Sequence, residues 1–223
     1  MTDIYGNSEK KSRMKRLFQF GIVTIEKEGW KVERIKGAGK SSVRRITRNG
    51  ESKVACIRTT QDRWIAFPRT KDDQAWLTLS DVNAVIAVSV DDKHNPQFAQ
   101  VHMFEAADIR DRFDRAYAAR MANNYSIPVG RGIWVSLYEK EDPSAPLLVG
   151  AGAGLASPMI AKVPLEAGAP DDSPDESEDA IEAATGQETM EEEAPLTIPE
   201  AKRRLALTLG VEPSNIKITV VDV

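Results

Sequence analysis

The spacing of apolar residues changes period several times along this chain, and each change marks an element. From Ser12, the residues Leu17, Phe20, Gly21, Val23, Thr24 and Ile25 fall near helical spacing, and Gly29 stops the run. This predicts a helix of about four turns, capped at its C-terminal end by glycine. Trp30, Val32 and Ile35 then alternate with Lys31, Glu33 and Lys36, the two-residue period of a half-buried strand. Val43 and Ile46 in one segment, and Val54, Cys56 and Thr59 against Ala55, Ile57 and Arg58 in the next, continue the β pattern. Asn49-Gly50 between them reads as a hairpin turn, because both residues tolerate positive φ. With Trp64–Phe67, closed by Pro68, these segments are expected to form a meander of four strands between Trp30 and Arg69.

The second half of the pattern is more hydrophobic. Val82, Ala84, Val85, Ile86, Ala87, Val88 and Val90 form an almost unbroken apolar run, which predicts a central strand buried on both faces. A turn cluster, Asp91 to Pro96, leads into a strand from Gln100 to Phe104. Glu105 to Asn123 reads as a helix whose apolar face is Ile109, Phe113, Ala116, Tyr117 and Met121. Its opposite face alternates Asp and Arg, the pattern of an ion-paired surface. A last strand is placed around Ile133 to Tyr138, and the chain is expected to loosen from Asp142 onward. The sum is an α/β fold, a mixed sheet flanked by helices.

Composition extends this to domain organisation. The segment from about Pro164 to Pro195 is rich in Asp, Glu, Ala, Ser and Pro and has no aromatic residue, so it reads as a disordered acidic linker. Beyond it, Thr197-Ile198-Pro199-Glu200 is a capping-box pattern, Leu205, Ala206 and Leu209 supply an apolar face, and Ile216 to Val221 supplies a strand. A helix-strand unit spanning 196–223 is too small to fold alone and implies docking on the main domain, on a second copy or on a partner protein. The expected organisation is a disordered N-terminus over 1–11, a domain over 12–141, a loose and acidic stretch over 142–195, and the docking unit.

Charge changes the picture most. The net charge of −4 conceals 18 Lys or Arg against 7 Asp or Glu in residues 1–71, and 1 against 12 in residues 161–195. That polarity points to a polyanion-binding part and an acidic tail. The single cysteine, Cys56, excludes an internal disulfide, and with only His94 and His102 beside it no Cys/His zinc cluster can be assembled. No apolar run reaches membrane-spanning length and no signal-peptide pattern opens the chain, so a cytoplasmic protein with no membrane partner is expected. The loop Gly37-Ala38-Gly39-Lys40-Ser41-Ser42 ends like a phosphate-binding loop, but the position six before Lys40 is Arg34 where that motif needs glycine, and a strand rather than a helix follows.

The layout FQFGIVTIEKEGWKVERI, then SVRRI, then VACIRTT, then WIAFPR resembles the PD-(D/E)XK superfamily, the restriction-endonuclease-like fold, over about residues 12 to 123. The resemblance implies a metal-dependent nuclease core with an acid on the first helix, an Asp on the second strand, and a Glu or Gln followed two residues later by Lys on the third. Carried over by position, Gln19 falls near the helix acid, Ser42 to Arg45 take the place of the Asp, Cys56 takes the Glu or Gln position and Arg58 the Lys. Arginines repel a divalent cation and a thiol is a poor ligand for Mg²⁺, so the motif is degenerate at every metal-binding position. Glu33, Glu51 and Arg58 are the remaining catalytic candidates, and Mg²⁺ is implied only if they are used.

The expectation is therefore a non-catalytic nucleic-acid-binding protein, with DNA as the first choice of partner and neither metal nor cofactor. Its contacts would come from Lys40, Arg44, Arg45, Arg48, Lys53, Arg58, Arg63 and Trp64, the arginines because their planar fork binds phosphate oxygens bidentately. Two alternatives stand beside it. One is an active metal-dependent endonuclease with displaced carboxylates; the other is a protein-interaction adaptor that works through its acidic tail and the 196–223 unit. Cys56 with no nearby His reads as a buried hydrophobe, and His94 and His102 as a turn and a strand residue.

Overall fold

A computed structural model of the protein describes residues 4–35, 42–128 and 130–166. All of them belong to the first of two units into which the chain divides, Met1–Gly186 and Gln187–Val223. The Gly37–Ser41 loop with Lys40, the acidic stretch over 167–195 and the 196–223 unit lie outside the described residues.

The first helix, α1 (Ile4–Lys27), begins well before the expected Ser12. Lys10 and Lys11 are good helix formers, and the Gln61 side-chain amide holds the Lys10 carbonyl at 2.9 Å. Met14, Leu17, Phe18 and Ile25 form its buried stripe. At the C-terminal end Gly29 has φ 85°. Its N–H donates to the Glu26 carbonyl, and that of Trp30 donates to Ile25. These two bonds satisfy the last carbonyls of the helix, as the sequence predicts.

Strands β1 (Lys31–Arg34), β2 (Val43–Arg48) and β3 (Glu51–Thr60) form an antiparallel meander. Asn49 (φ 50°) and Gly50 (φ 82°) make the two-residue turn between β2 and β3. The expected fourth strand of that meander, β4 (Trp64–Pro68), does not join it. The Asp62 carboxylate accepts hydrogen bonds from the Thr60 hydroxyl at 2.6 Å and the Trp64 N–H at 3.1 Å. With Arg63 at φ 69°, this turn throws β4 off the sheet.

The place beside β3 is taken instead by β5 (Ala84–Val90), in parallel, with Ala55 opposite Ala84 and Thr60 opposite Ser89. Asn83 fixes that register, accepting the Val54 N–H on its side chain and donating its own N–H to the Val54 carbonyl. Every residue of β5 is buried, as its unbroken apolar run predicts. Strand β6 (Phe98–Glu105) pairs antiparallel with β5, and the helix α2 (Ala106–Ala122) follows directly. Strand β7 (Gly132–Ser136) turns back to pair with β4 in a separate two-stranded sheet.

The chain does not loosen at Asp142. The short helix α3 (Ala153–Ala156) is followed by β8 (Ala161–Pro164), which pairs with β6 to complete a six-stranded sheet of order β1-β2-β3-β5-β6-β8. Leu165, just after β8, is buried in the core beneath α1.

The fold is therefore a mixed α/β sheet covered on both faces. On one face α1 packs Leu17, Phe18, Phe20 and Ile25 against Ile46, Ile57, Ile86, Val88 and Val101. On the other, α2 and the inner side of the β4–β7 sheet pack Ile109, Phe113, Phe67, Ile133 and Val135 against Val43, Cys56, Val85 and Phe104. Strand alternation decides which side chain meets which layer.

Candidate nucleic-acid interface

The same alternation divides the basic residues expected to act together. Arg44 and Arg48 point to the α1 face. The Arg44 guanidinium lies 5.1 Å from the Phe18 ring centroid and donates to the Val43 carbonyl. Arg48 lies 4.4 Å over Trp30 and donates to the Glu28 carbonyl at 3.0 Å. Arg58 points the other way, is 5% exposed and sits 4.6 Å over Phe67. Desolvation lowers its pKa. Lys53 is held by Glu105 at 2.7 Å and Glu51 at 3.4 Å, and the bond to Glu105 is the main reason its pKa is raised. Arg45 is exposed, and Arg63 and Trp64 are half-buried. Arg44 and Arg58 are thus buried against aromatic rings, while Arg48 and Lys53 are engaged nearer the surface by Trp30 and by two carboxylates.

The catalytic candidates do not converge either. Glu33 pairs with Lys31 at 2.8 Å, Glu51 faces Lys53, and Arg58 lies under the β4–β7 sheet. Among the described residues no group of three or more His, Cys, Asp or Glu is placed to hold a metal ion.

A concentration of basic residues does lie on the described part of α1, at a place that the strand pattern conceals. Residues 10–16 of α1 read KKSRMKR, and no acidic residue follows before Glu26. Lys10, Lys11 and Arg16 are exposed, while Arg13 and Lys15 are half-buried. Arg13 donates to the Gln61 side chain at 3.3 Å, and Arg16 donates to the Leu165 carbonyl at 2.8 Å. These bonds tie the first half of α1 to the carboxyl end of β3 and to the segment after β8. The signal for this patch is the run itself, five basic residues in seven, a pattern that suits a polyanion.

Next to it, across the Gln61–Arg63 turn, lies a buried polar chain. Ser89 on β5 shares a 2.7 Å hydrogen bond with the Tyr138 hydroxyl, and Tyr138 reaches His102 Nε2 on β6 at 3.1 Å. His102 stacks on Phe104, its ring 5.4 Å away and nearly parallel. The Arg63 guanidinium lies 4.3 Å over the Tyr138 ring. Arg63 Nε and Gln100 Oε1 are buried with no partner in hydrogen-bonding geometry. Unsatisfied polar atoms are rare in a folded interior, and two of them lie together here near the carboxyl end of the parallel β3–β5 pair.

Burial lowers the His102 pKa, against a smaller upward pull from the backbone of Pro158 and Ser157. The unfolded chain therefore binds that proton more tightly, and acid favours unfolding. Stability should be full above the unfolded value of about 6.5 and fall as pH drops below it. Urea midpoints measured at about pH 7.5 and about pH 5.5 should differ in the wild type and draw together in His102→Gln. Equal midpoints in the wild type would contradict this.

The chain matches no family model, no curated protein and no solved structure. Among the described residues no helix is long and apolar enough to cross a membrane.

Proposed function

We propose that this protein binds nucleic acid without cutting it, on a nuclease-like core. The observation that carries the reading is the first half of α1. Five basic side chains stand there on two helical turns with no acid among them, bound through Gln61 to the turn that bears Arg63. An array of this kind neutralises successive phosphates and releases their counterions.

The core assignment is supported by element order: a helix, a three-stranded meander, and a parallel return strand beside β3. The positions that the resemblance makes catalytic carry Ser42 to Arg45, Cys56 and Arg58. Cys56 and Arg58 share one face of β3, and the arginine is packed against Phe67. These side chains suit packing rather than metal-assisted hydrolysis, which needs hard oxygen ligands.

Labelled DNA and RNA, single- and double-stranded, should shift with the protein at low salt and release at moderate salt, uncut in Mg²⁺, in Mn²⁺ and in chelator. Binding that ignores salt, or none, would overturn the reading. Metal-dependent cleavage would replace it with an endonuclease.

A further inference from the structure

Polar residues form one line across the large sheet, on the face that α2 and the β4–β7 sheet cover. Thr60 stands opposite Ser89, Ser89 opposite Gln100 and Gln100 opposite Lys162, so β3, β5, β6 and β8 each contribute one residue at a single level. Further in on the same face the corresponding level is Cys56, Val85 and Phe104, which is wholly apolar. Burial falls along the polar line. Thr60 and Ser89 are enclosed, Gln100 is half-buried and Lys162 is exposed. The line is therefore shut at β3 and open at β8.

Tyr138 and Arg63 close over the shut end. The Tyr138 hydroxyl meets Ser89, and the Arg63 guanidinium lies on the Tyr138 ring. Arg63 stands in the left-handed region, uncommon for a residue with a side chain. The Asp62 carboxylate, accepting from Thr60 and from the Trp64 N–H, and the Leu137 N–H, donating to the Arg63 carbonyl, hold it there. Among the described residues its guanidinium makes no hydrogen bond and no ion pair. Arg63 is half-buried with Nε enclosed, so its terminal amino groups are the part that reaches solvent. Gln100 has the same form: Oε1 is enclosed and unpartnered, which leaves the amide NH2 as its open end.

The open ends are all donors: a guanidinium, an amide and the Lys162 ammonium. The nearby carboxylates are engaged by the backbone and by Thr60. Asp62 holds its turn, and Asp91 accepts the N–H groups of Asp92, Gln97 and Phe98 and stands 3.8 Å from Lys162. Lys162 is two strands from Ser89, roughly 10 Å by ordinary strand spacing. Two cations so placed, with a neutral donor between them, suit a compact group that carries two negative charges and several acceptor oxygens. A phosphate monoester is such a group near neutral pH, whereas a carboxylate, or a phosphodiester within a strand, carries one charge.

We infer that this line binds a phosphate monoester, with Arg63 and Lys162 taking its charge, Gln100 donating between them, and the Ser89–Tyr138 pair as the fixed wall behind. The ligand is the terminal phosphate of a nucleic-acid strand or a free nucleotide, and the group they share is what the site reads. The strand-end form rests on the nucleic-acid reading above; the free form does not.

Calorimetric titration of the full chain with thymidine monophosphate and with thymidine, at one ionic strength, tests the site. The monophosphate should bind and thymidine should not. Arg63→Gln and Lys162→Gln should each weaken monophosphate binding about tenfold or more, the scale of one lost charge-assisted contact. Oligo(dT) with and without a terminal phosphate separates the sources. A strand-end site holds the phosphorylated form about tenfold more tightly, and Arg63→Gln removes that preference.

No heat with the monophosphate, or equal binding by the wild type and both variants, would overturn the site. Salt-sensitive oligo(dT) binding in that event leaves the nucleic-acid reading standing. Monophosphate binding without any oligo(dT) binding does the reverse, keeping the site and assigning it to a free nucleotide. Equal affinity for the two oligonucleotides makes the same assignment. If Arg63→Gln fails to fold, Lys162→Gln, at an exposed position, decides alone.

Discussion

Phe113→Ala should destabilise the protein by about 3–5 kcal/mol, the cost of emptying a well-packed aromatic site. Phe113 is 1% exposed on α2 and meets two rings edge-to-face, Phe67 at 5.2 Å and Trp76 at 5.3 Å. Each such pair adds about 0.5–1.5 kcal/mol beyond the area it buries. The site cannot collapse easily. Phe67 is fixed by the β4–β7 pairing, and Trp76 is held by its Nε1 hydrogen bond to Asp114 at 2.7 Å. A domain of this kind is typically stable by only 5–15 kcal/mol, so the loss is a large share of the total. Urea unfolding followed by circular dichroism measures it, and Phe113→Leu should lose much less. A loss below about 1 kcal/mol in the alanine variant would mean that the α2 layer is not the rigid support described above.

The second large effect concerns affinity. The triple variant Lys10→Gln, Lys11→Gln, Lys15→Gln removes three charges from α1 and leaves Arg13 and Arg16, which bond to Gln61 and Leu165, in place. Each phosphate contact contributes about 0.9 to the slope of log K against log salt, so the slope should flatten by about 2 to 3. At low salt the affinity should fall on the order of 100-fold, equally for all sequences, because phosphate contacts carry no base information. Anisotropy titrations at several salt concentrations give both numbers, and an unchanged denaturation midpoint shows that the fold is intact. An unchanged slope would move the phosphate contacts off this helix and remove the main support for the proposed function.

What was legible in the sequence was what is decided locally. Gly29 as a helix terminator, Asn49-Gly50 as a turn and the unbroken run of β5 depend on neighbouring residues, and each stands where the pattern puts it. Pairing partners are not local. Nothing in the alternation of Trp64 to Phe67 says that this strand leaves the sheet, or that β5 takes its place in parallel.

The same gap scattered the expected contacts. Arg44 and Arg45 are adjacent in sequence and lie on opposite faces, one against Phe18 and one in solvent. The polar chain of Ser89, His102 and Tyr138 joins three segments that only the finished fold brings together. The basic run on α1, by contrast, is contiguous in sequence and is legible without the fold.

The two borders of the large sheet share a property that bears on how copies of the protein meet. At one border β1 has only four residues, and Lys31, Glu33 and Arg34 along it are exposed. At the other, β8 is equally short, carries Lys162 and ends in Pro164, which has no N–H to offer. Borders that are brief, charged and closed by proline are poor templates for a further strand. Among the described residues the sheet has six strands, and edge-to-edge fusion of neighbouring molecules into a continuous ribbon through these borders is disfavoured.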